Sequence, residues 1–495
     1  MQKVFDDSRI LDKKAREKFS LSEELMMENA AAALEREIES EKANKIVIFC
    51  GSGNNGADGF SLARRLFGKK DVVVFREKTQ KTQLCALQAE RAQKCGVKQI
   101  FFSHLLSAEE KSEIESADVI VDCAFGAGFH GKLPSEIESA IKIANGADAI
   151  RIACDIPSGL DSKGCAEGEV FCADKTISMG SLKTALFSDT ASDFTGEIKC
   201  ADLGISRSLF EKDSETTLFV LEESDLSLPF RKKRNTNKGS FGHAAVFAGD
   251  KAGAAVIGAT AAFSFGAGLV SVISGEKIEA LPFEILQSEK PSANTSAIAV
   301  GMGFGSDKKR IQSVFDYLSQ NKNVKAVFDA DLCHSEELLQ FLENEDGDES
   351  RIILTPHPKE FLSLLKNARL CDENTTVKDV VNHKLEFALS FSNKYKKAVL
   401  ISKGAIPIIS GEKDGKVCAF FNPFGKNCLA KGGSGDVLSG LALSLLAQGR
   451  GALDAAISSS LSHTLASRIY CKENCDYAMS PFSLIDSIKI LGKKL

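Results

Sequence analysis

No apolar run in this 495-residue chain reaches the length of a membrane-spanning helix, and the opening Met1-Gln2-Lys3-Val4-Phe5-Asp6-Asp7 lacks an apolar leader core. Both absences lead to the expectation of a cytoplasmic protein without a membrane partner. Cys-x-x-Cys pairs are missing too. The closest cysteines, Cys471 and Cys475, have no second pair nearby to complete a zinc site. Cys50, Cys123 and Cys154 instead sit inside apolar strand-like runs, where cysteine behaves as a small hydrophobe, so the fourteen cysteines are read as reduced thiols. Positive charge is not in excess either: the net charge of -5 argues against a broad nucleic-acid surface. What is present is ordinary for a globular protein, with 43% hydrophobic and 26% charged residues. The length exceeds what one core usually serves, so two or three domains are expected.

The first half alternates helix and strand signals. Residues 8–40 read as two helices, and Lys45-Ile46-Val47-Ile48-Phe49-Cys50 as a buried strand. The strand runs into Gly51-Ser52-Gly53-Asn54-Asn55-Gly56-Ala57-Asp58-Gly59, which satisfies G-x-G-x-x-G ahead of a helix expected over Phe60–Phe67. Asn54, Asn55 and Asp58 add side-chain oxygens and amides beside the loop. The plainer alternative is a tight turn that needs glycine only for packing. Further strands end in Gly126-Ala127-Gly128 and in Asp155-Ile156-Pro157-Ser158-Gly159. The alternation predicts a parallel sheet, and in such a sheet ligands gather at the carboxyl ends of the strands. Asn55, Asp122 and Ser158 are hard oxygen donors able to hold a monovalent or divalent cation.

Between about 205 and 240 the pattern breaks, and the boundary is placed near 220. The basic run Arg231–Gly239 is either a solvated linker or ends facing a phosphate ligand. Beyond it, strands again end in Gly, Asp, His or Lys, which predicts a second parallel α/β domain. His357, between two prolines, is either a ligand contact or part of a turn. The stretch around which the chain is organised is Ala430-Lys431-Gly432-Gly433-Ser434-Gly435-Asp436, followed by an apolar helix from Val437 to Gln448. A glycine loop opening a buried helix gathers free amides and the positive end of the helix dipole, which suits phosphate. Asp436 then stands where a carboxylate can accept a hydroxyl proton. The alternative is an ordinary loop capped by Asp436.

In this order the motifs resemble the bifunctional NAD(P)H-hydrate repair enzymes. The likeness rests on Leu25–Ala30, Gly51–Gly59, Val121–Gly128, Asp155–Gly159 and Lys175–Lys183 in the first half. In the second it rests on Lys238–Gly242, Gly266–Val270, Asp329-Ala330-Asp331, Leu354–Glu360, Lys403-Gly404-Ala405 and Gly432–Asp436. The resemblance implies an α/β chain with a Rossmann-like epimerase domain over 1–215 and a ribokinase-like dehydratase domain over 225–495. The first would interconvert R and S hydrates of NADH and NADPH. It would use Asn54, Asn55, Gly56, Ala57 and Asp58, then Gly126, Ala127, Gly128, Phe129, His130, Gly131 and Lys132, with Asp155 and Lys183 for proton handling and K+ on Asn55, Asp122 and Ser158.

The second would phosphorylate the hydrate hydroxyl from ADP or ATP with Mg2+, then eliminate phosphate. Asp436 matches the base. Nucleotide contacts would fall on Lys403, Gly404, Ala405, Ile406, Pro407, Asn427, Gly432, Gly433, Ser434 and Gly435, and hydrate contacts on Gly303, Gly305 and His357. The likeness also implies a homo-oligomer. Departures from the family pattern include Asn237, Lys359 and Lys431, the last expected to add positive charge beside the phosphates. The alternative function is a vitamin-precursor kinase fused to a nucleotide-binding module.

Overall fold

Along Lys45–Cys50 the side chains divide: Ile46, Ile48 and Cys50 join one apolar cluster, Val47 and Phe49 another. A strand covered on both faces must be apolar throughout, which is why this run shows no polar alternation. The strand lies inside a seven-stranded sheet in one of two compact units, Lys3–Thr216, of a computed structural model describing residues 1–347 and 349–494. Across the sheet the order is Lys98–Phe101, Asp71–Arg76, Lys45–Cys50, Val119–Cys123, Ile150–Cys154, Lys175–Met179 and Glu197–Ala201, all parallel. The chain winds outward from Lys45–Cys50 in both directions. A switch point therefore opens between that strand and Val119–Cys123, where a doubly wound sheet binds its ligands.

The second unit holds Thr217 onward with Met1 and Gln2. Six crossovers keep Leu286–Ser288, Leu269–Ile273, His243–Phe247, Ala297–Val300, Lys325–Phe328, Ile352–Leu354 and Ala398–Ser402 parallel in that spatial order. The expected wholly parallel sheet is not what forms. Ile408–Lys413 and Lys416–Phe421 fold back as an antiparallel hairpin, because Asp414 (φ 51°) and Gly415 (φ 76°) both take the left-handed region that a two-residue turn requires. Leu218–Val220 then pairs parallel beyond the hairpin.

Two helix starts also move. The helix expected from Phe60 begins at Asn54 with Gly53 at its N-cap, and the one expected from Val437 begins at Ser434 with Gly433, φ 88°, at its N-cap. Both glycine loops are thus shorter than the motifs imply, and their polar residues lie in the first helical turns.

Candidate active sites

At the switch point of the Lys3–Thr216 unit, a Cβ added at Gly51 would sit 1.9 Å from the Ala124 carbonyl oxygen, and one at Gly56 would sit 2.0 Å from that of Gly51. Nothing lies within 4 Å of the corresponding point at Gly53. The outer glycines are therefore packing requirements, and the middle one leaves backbone open to a ligand. Beside them lies a cavity of about 780 Å³, lined by Asn54, Asn55, Asp58, Gly126–His130, Lys132, Asp155 and Lys183 among others. Most of the residues singled out in this half of the sequence thus share one cavity; Asp122 and Ser158 lie buried behind it.

Asp155 adopts φ 71°, rare for a residue with a side chain but accessible to Asp, and donates its N–H to Ile177 O at 2.8 Å. One carboxylate oxygen accepts from buried Lys183 Nζ and from Met179 N at 3.2 Å; the other faces Ala127 N at 3.4 Å. Lys183 Nζ also donates to Met179 O at 2.8 Å. Burial, then the charge of Asp155, pushes the Asp58 carboxyl well above the usual carboxylate range. Behind the loop, fully buried Asp122 accepts from Ala124 N at 3.0 Å, Ser158 N at 2.7 Å and Ser158 Oγ at 2.7 Å. Burial raises its pKa to about 6 despite those bonds. Phe125 O accepts from Asn55 Nδ2 at 2.9 Å and lies 3.4 Å from Ser158 Oγ, which also bonds Asp122 and so links the three residues.

In the other unit the strand ends supply a second constellation. Asp329, following Lys325–Phe328, accepts from Lys403 Nζ at 2.7 Å and from Ser439 Oγ at 2.7 Å; Ser439 Oγ lies 3.1 Å from Thr355 Oγ1. Burial lowers the Lys403 pKa, but Asp329 and Glu360 outweigh it and hold the ammonium charged. A Cβ at Gly435 would sit 3.2 Å from Lys403 Nζ, so the glycine loop runs directly over this cation. Asp436 occupies the first turn of the helix, half-buried, and no donor among the described residues bonds its carboxylate. Burial first, then the charge of Asp329, raises its pKa to about 7. A carboxyl poised near neutrality beside free helix amides is suited to take a hydroxyl proton while the amides hold phosphate.

Family comparisons divide the chain the same way. Residues 23–185 match the YjeF-related protein N-terminus and residues 244–489 match NAD(P)H-hydrate dehydratase. The bifunctional NAD(P)H-hydrate repair enzyme Nnr of Helicobacter pylori is 43% identical over 99% of this chain and 100% of its own length. The chain belongs to the bifunctional NAD(P)H-hydrate repair enzymes. The Moorella thermoacetica member is 29% identical over 98% of this chain and 95% of its own. Among solved structures, the ADP/ATP-dependent NAD(P)H-hydrate dehydratase of Bacillus subtilis, co-crystallized with ATP/Mg2+, is similar at 24% identity, covering 56% of this chain and 98% of that one, TM-score 0.47.

Against this family background some side chains stand differently from expectation. His357 caps the helix Pro358–Asn367: Nδ1 accepts from Lys359 N at 3.1 Å and Glu360 N at 3.3 Å, and Nε2 lies 2.9 Å from Glu360 Oε1. The turn reading thus accounts for both ring nitrogens. Lys431 donates to Tyr477 O at 2.8 Å and Asn427 to Asp476 at 3.0 Å, so both side chains pin the loop to the segment 476–478. Residues 231–240 are exposed, as a solvated linker would be. Gly303 (φ 63°) and Gly305 (φ 85°) are held in turns, with Gly305 N donating to Asp331 at 2.9 Å. Gly404 and Ala405 are exposed and Ile406 is buried.

The roles of three side chains escaped the sequence reading. Ser439 lies one helical turn past Asp436 inside an apolar run and carries no motif of its own. His463, buried, sits with Nε2 2.9 Å from Ser434 O, and burial pushes its pKa down to about 4; it braces the glycine loop as a neutral ring. Asp12, in the helix Arg9–Phe19, lines the cavity of the first unit.

Proposed function

We propose that the Lys3–Thr216 unit interconverts the R and S hydrates of NADH and NADPH, and that the unit from Thr217 onward dehydrates the S hydrate at the expense of ADP or ATP. The single observation that carries the second half is Asp436: an unpartnered carboxyl with a pKa near neutrality, on the first turn of a helix whose glycine loop passes over Lys403. Asp436 would take the hydrate hydroxyl proton as that oxygen attacks the terminal phosphorus. Loop amides and Lys403 would hold the charge spread over the phosphoryl oxygens, where most of the catalysis of such transfers lies. Loss of phosphate then restores the dihydronicotinamide. Mg2+ commonly binds through nucleotide phosphates and keeps several waters, so it would enter with the nucleotide and shield that same charge.

In the first unit, Asp155 held by Lys183 would handle the proton of the oxygen exchanged at the epimerised carbon. The Asn55, Asp122 and Ser158 oxygens fit a potassium ion: Asp122 is a fully buried carboxyl with no cationic side chain among its partners, and such a charge is costly without one. Bound there, K+ would supply the missing positive charge and hold the Asn54-Asn55 turn against the substrate.

The deciding experiment supplies each hydrate stereoisomer with ADP or ATP and follows recovery of reduced-nicotinamide absorbance. Asp436→Asn should lower dehydration by at least about 100-fold and leave epimerisation within about twofold. Loss of both activities together would refute the assignment of one site to each unit.

A further inference from the structure

The helix Arg9–Phe19 was legible only as a helix, yet one of its stripes faces the first unit's cavity. Ser8, Asp12 and Arg16, spaced four apart, all line it, and the neighbouring Leu11 and Ala15 are buried and fix the helix against its core. Of the charged groups around Asp12, Asp58 is pushed toward its neutral form by burial, and three others are paired. Arg9 pairs with Asp7 at 2.8 Å, Arg16 with Glu23 at 2.8 Å, and Lys183 with Asp155. Asp12 is half-buried and has no hydrogen bond or ion pair among the described residues. A carboxyl left without a partner at the wall of a ligand cavity has lost water and gained nothing in return, unless a ligand supplies the contact.

The reaction read into this cavity, on which this inference rests, needs two groups rather than one. Hydration of an enamine double bond puts the hydroxyl on the carbon bonded to nitrogen, because the nitrogen lone pair stabilises a cation there. Inverting that carbon requires the C–O bond to break with a proton delivered to the departing oxygen, and water to add on the other face with a proton removed. Asp155, clamped by an ammonium group and a backbone N–H, is fixed in place and can serve only one of the two transfers in a given direction.

We propose that Asp12 is a second catalytic residue of the epimerising site, the acid that protonates the departing hydroxyl while Asp155 takes the proton of the incoming water. In the step, the Asp12 proton passes to the hydroxyl oxygen, the C–O bond breaks to release water, and the ring nitrogen lone pair forms a C=N bond. A water oxygen then bonds to the carbon from the opposite face, the C=N electrons return to nitrogen, and the water's surplus proton goes to Asp155. One water leaves and one enters, one proton is given and one taken, and no oxidant is required. In the reverse direction the two carboxyls exchange roles. Burial, together with the Asp155 charge, raises the proton affinity of Asp12 against the opposing pull of Lys183 and Arg16, consistent with its holding a proton at the start.

The test uses the full chain. Asp12→Asn should lower kcat for R-to-S conversion, followed by chiral separation of the hydrates, by about 100- to 1000-fold with KM within about threefold. Dehydration of pure S hydrate and the melting temperature should not change. Acetate or formate should restore part of the rate to Asp12→Ala, and Asp12→Glu should retain more activity than Asp12→Asn. Retention of full kcat in Asp12→Asn, where Asp155→Asn is inactive, would overturn the proposal and leave the epimerase reading intact. A rise in KM alone, or a loss without carboxylate rescue accompanied by a lower melting temperature, would overturn it too. If wild type fails to epimerise, the fault lies with the function of the unit, not with Asp12.

Discussion

Asp436, the proposed base, is held where it loses much of its solvation. Its folded pKa of about 7 lies above the ordinary 3.8, so the native state keeps this proton longer than the unfolded chain as pH rises. The sign follows: stability is lost progressively as pH climbs from about 4 to about 7, and the loss is complete above that. Asp436→Asn removes the ionisation. Urea titrations should therefore find the variant more stable than wild type by on the order of 2 kcal/mol at pH 8, and little different at pH 4. Catalysis runs the other way. As the proposed base, Asp436 would work in its ionised form, so kcat/KM for dehydration should fall about tenfold per unit below pH 7. A flat pH profile between 5 and 7 would assign the base elsewhere.

At the scale of elements, the helix Ser434–Ala447 is placed by glycine against glycine. A Cβ at Gly440 would sit 2.3 Å from the Gly258 carbonyl oxygen of the helix Ala252–Ser264. Backbone has no room to yield there, so Gly440→Ala should destabilise this unit by about 2–4 kcal/mol in urea unfolding and should weaken dehydration by shifting Asp436. Epimerisation should stay as it was. The strands of both sheets were legible because parallel strands buried on both faces leave continuous apolar runs, as in Lys45–Cys50 and Ala297–Val300. The hairpin carries a strong turn dipeptide, Asp414-Gly415, but its strands turn polar and less buried toward that turn and lack the continuous apolar run of the parallel strands. Lys98–Phe101 was illegible for a physical reason: it is an edge strand, exposed or half-buried at every position, and carries no apolar signature. The pairs Asp329–Lys403 and Asp329–Ser439 join positions 74 and 110 residues apart, which no local pattern encodes. The glycine loops, by contrast, announced themselves, since their function demands a residue type.

For the whole molecule, each unit encloses its own apolar clusters and its own site. Ligands should therefore act on the units separately. In scanning calorimetry, adenine nucleotide should raise the transition of the C-terminal unit alone, by about 2.7 kcal/mol of stability at a hundredfold excess over Kd. Potassium in place of sodium should raise the other, and Asp122→Asn should abolish that response. A nucleotide effect on both transitions, or indifference of the N-terminal one to the choice of cation, would contradict this division.

Because both centres are carried on a single polypeptide, a cell can make more or less of the pair but cannot alter their ratio. Gene dosage scales supply and consumption of the S form together. Any adjustment of one rate against the other is left to what each unit binds, and for the dehydrating unit nucleotide level is the natural control.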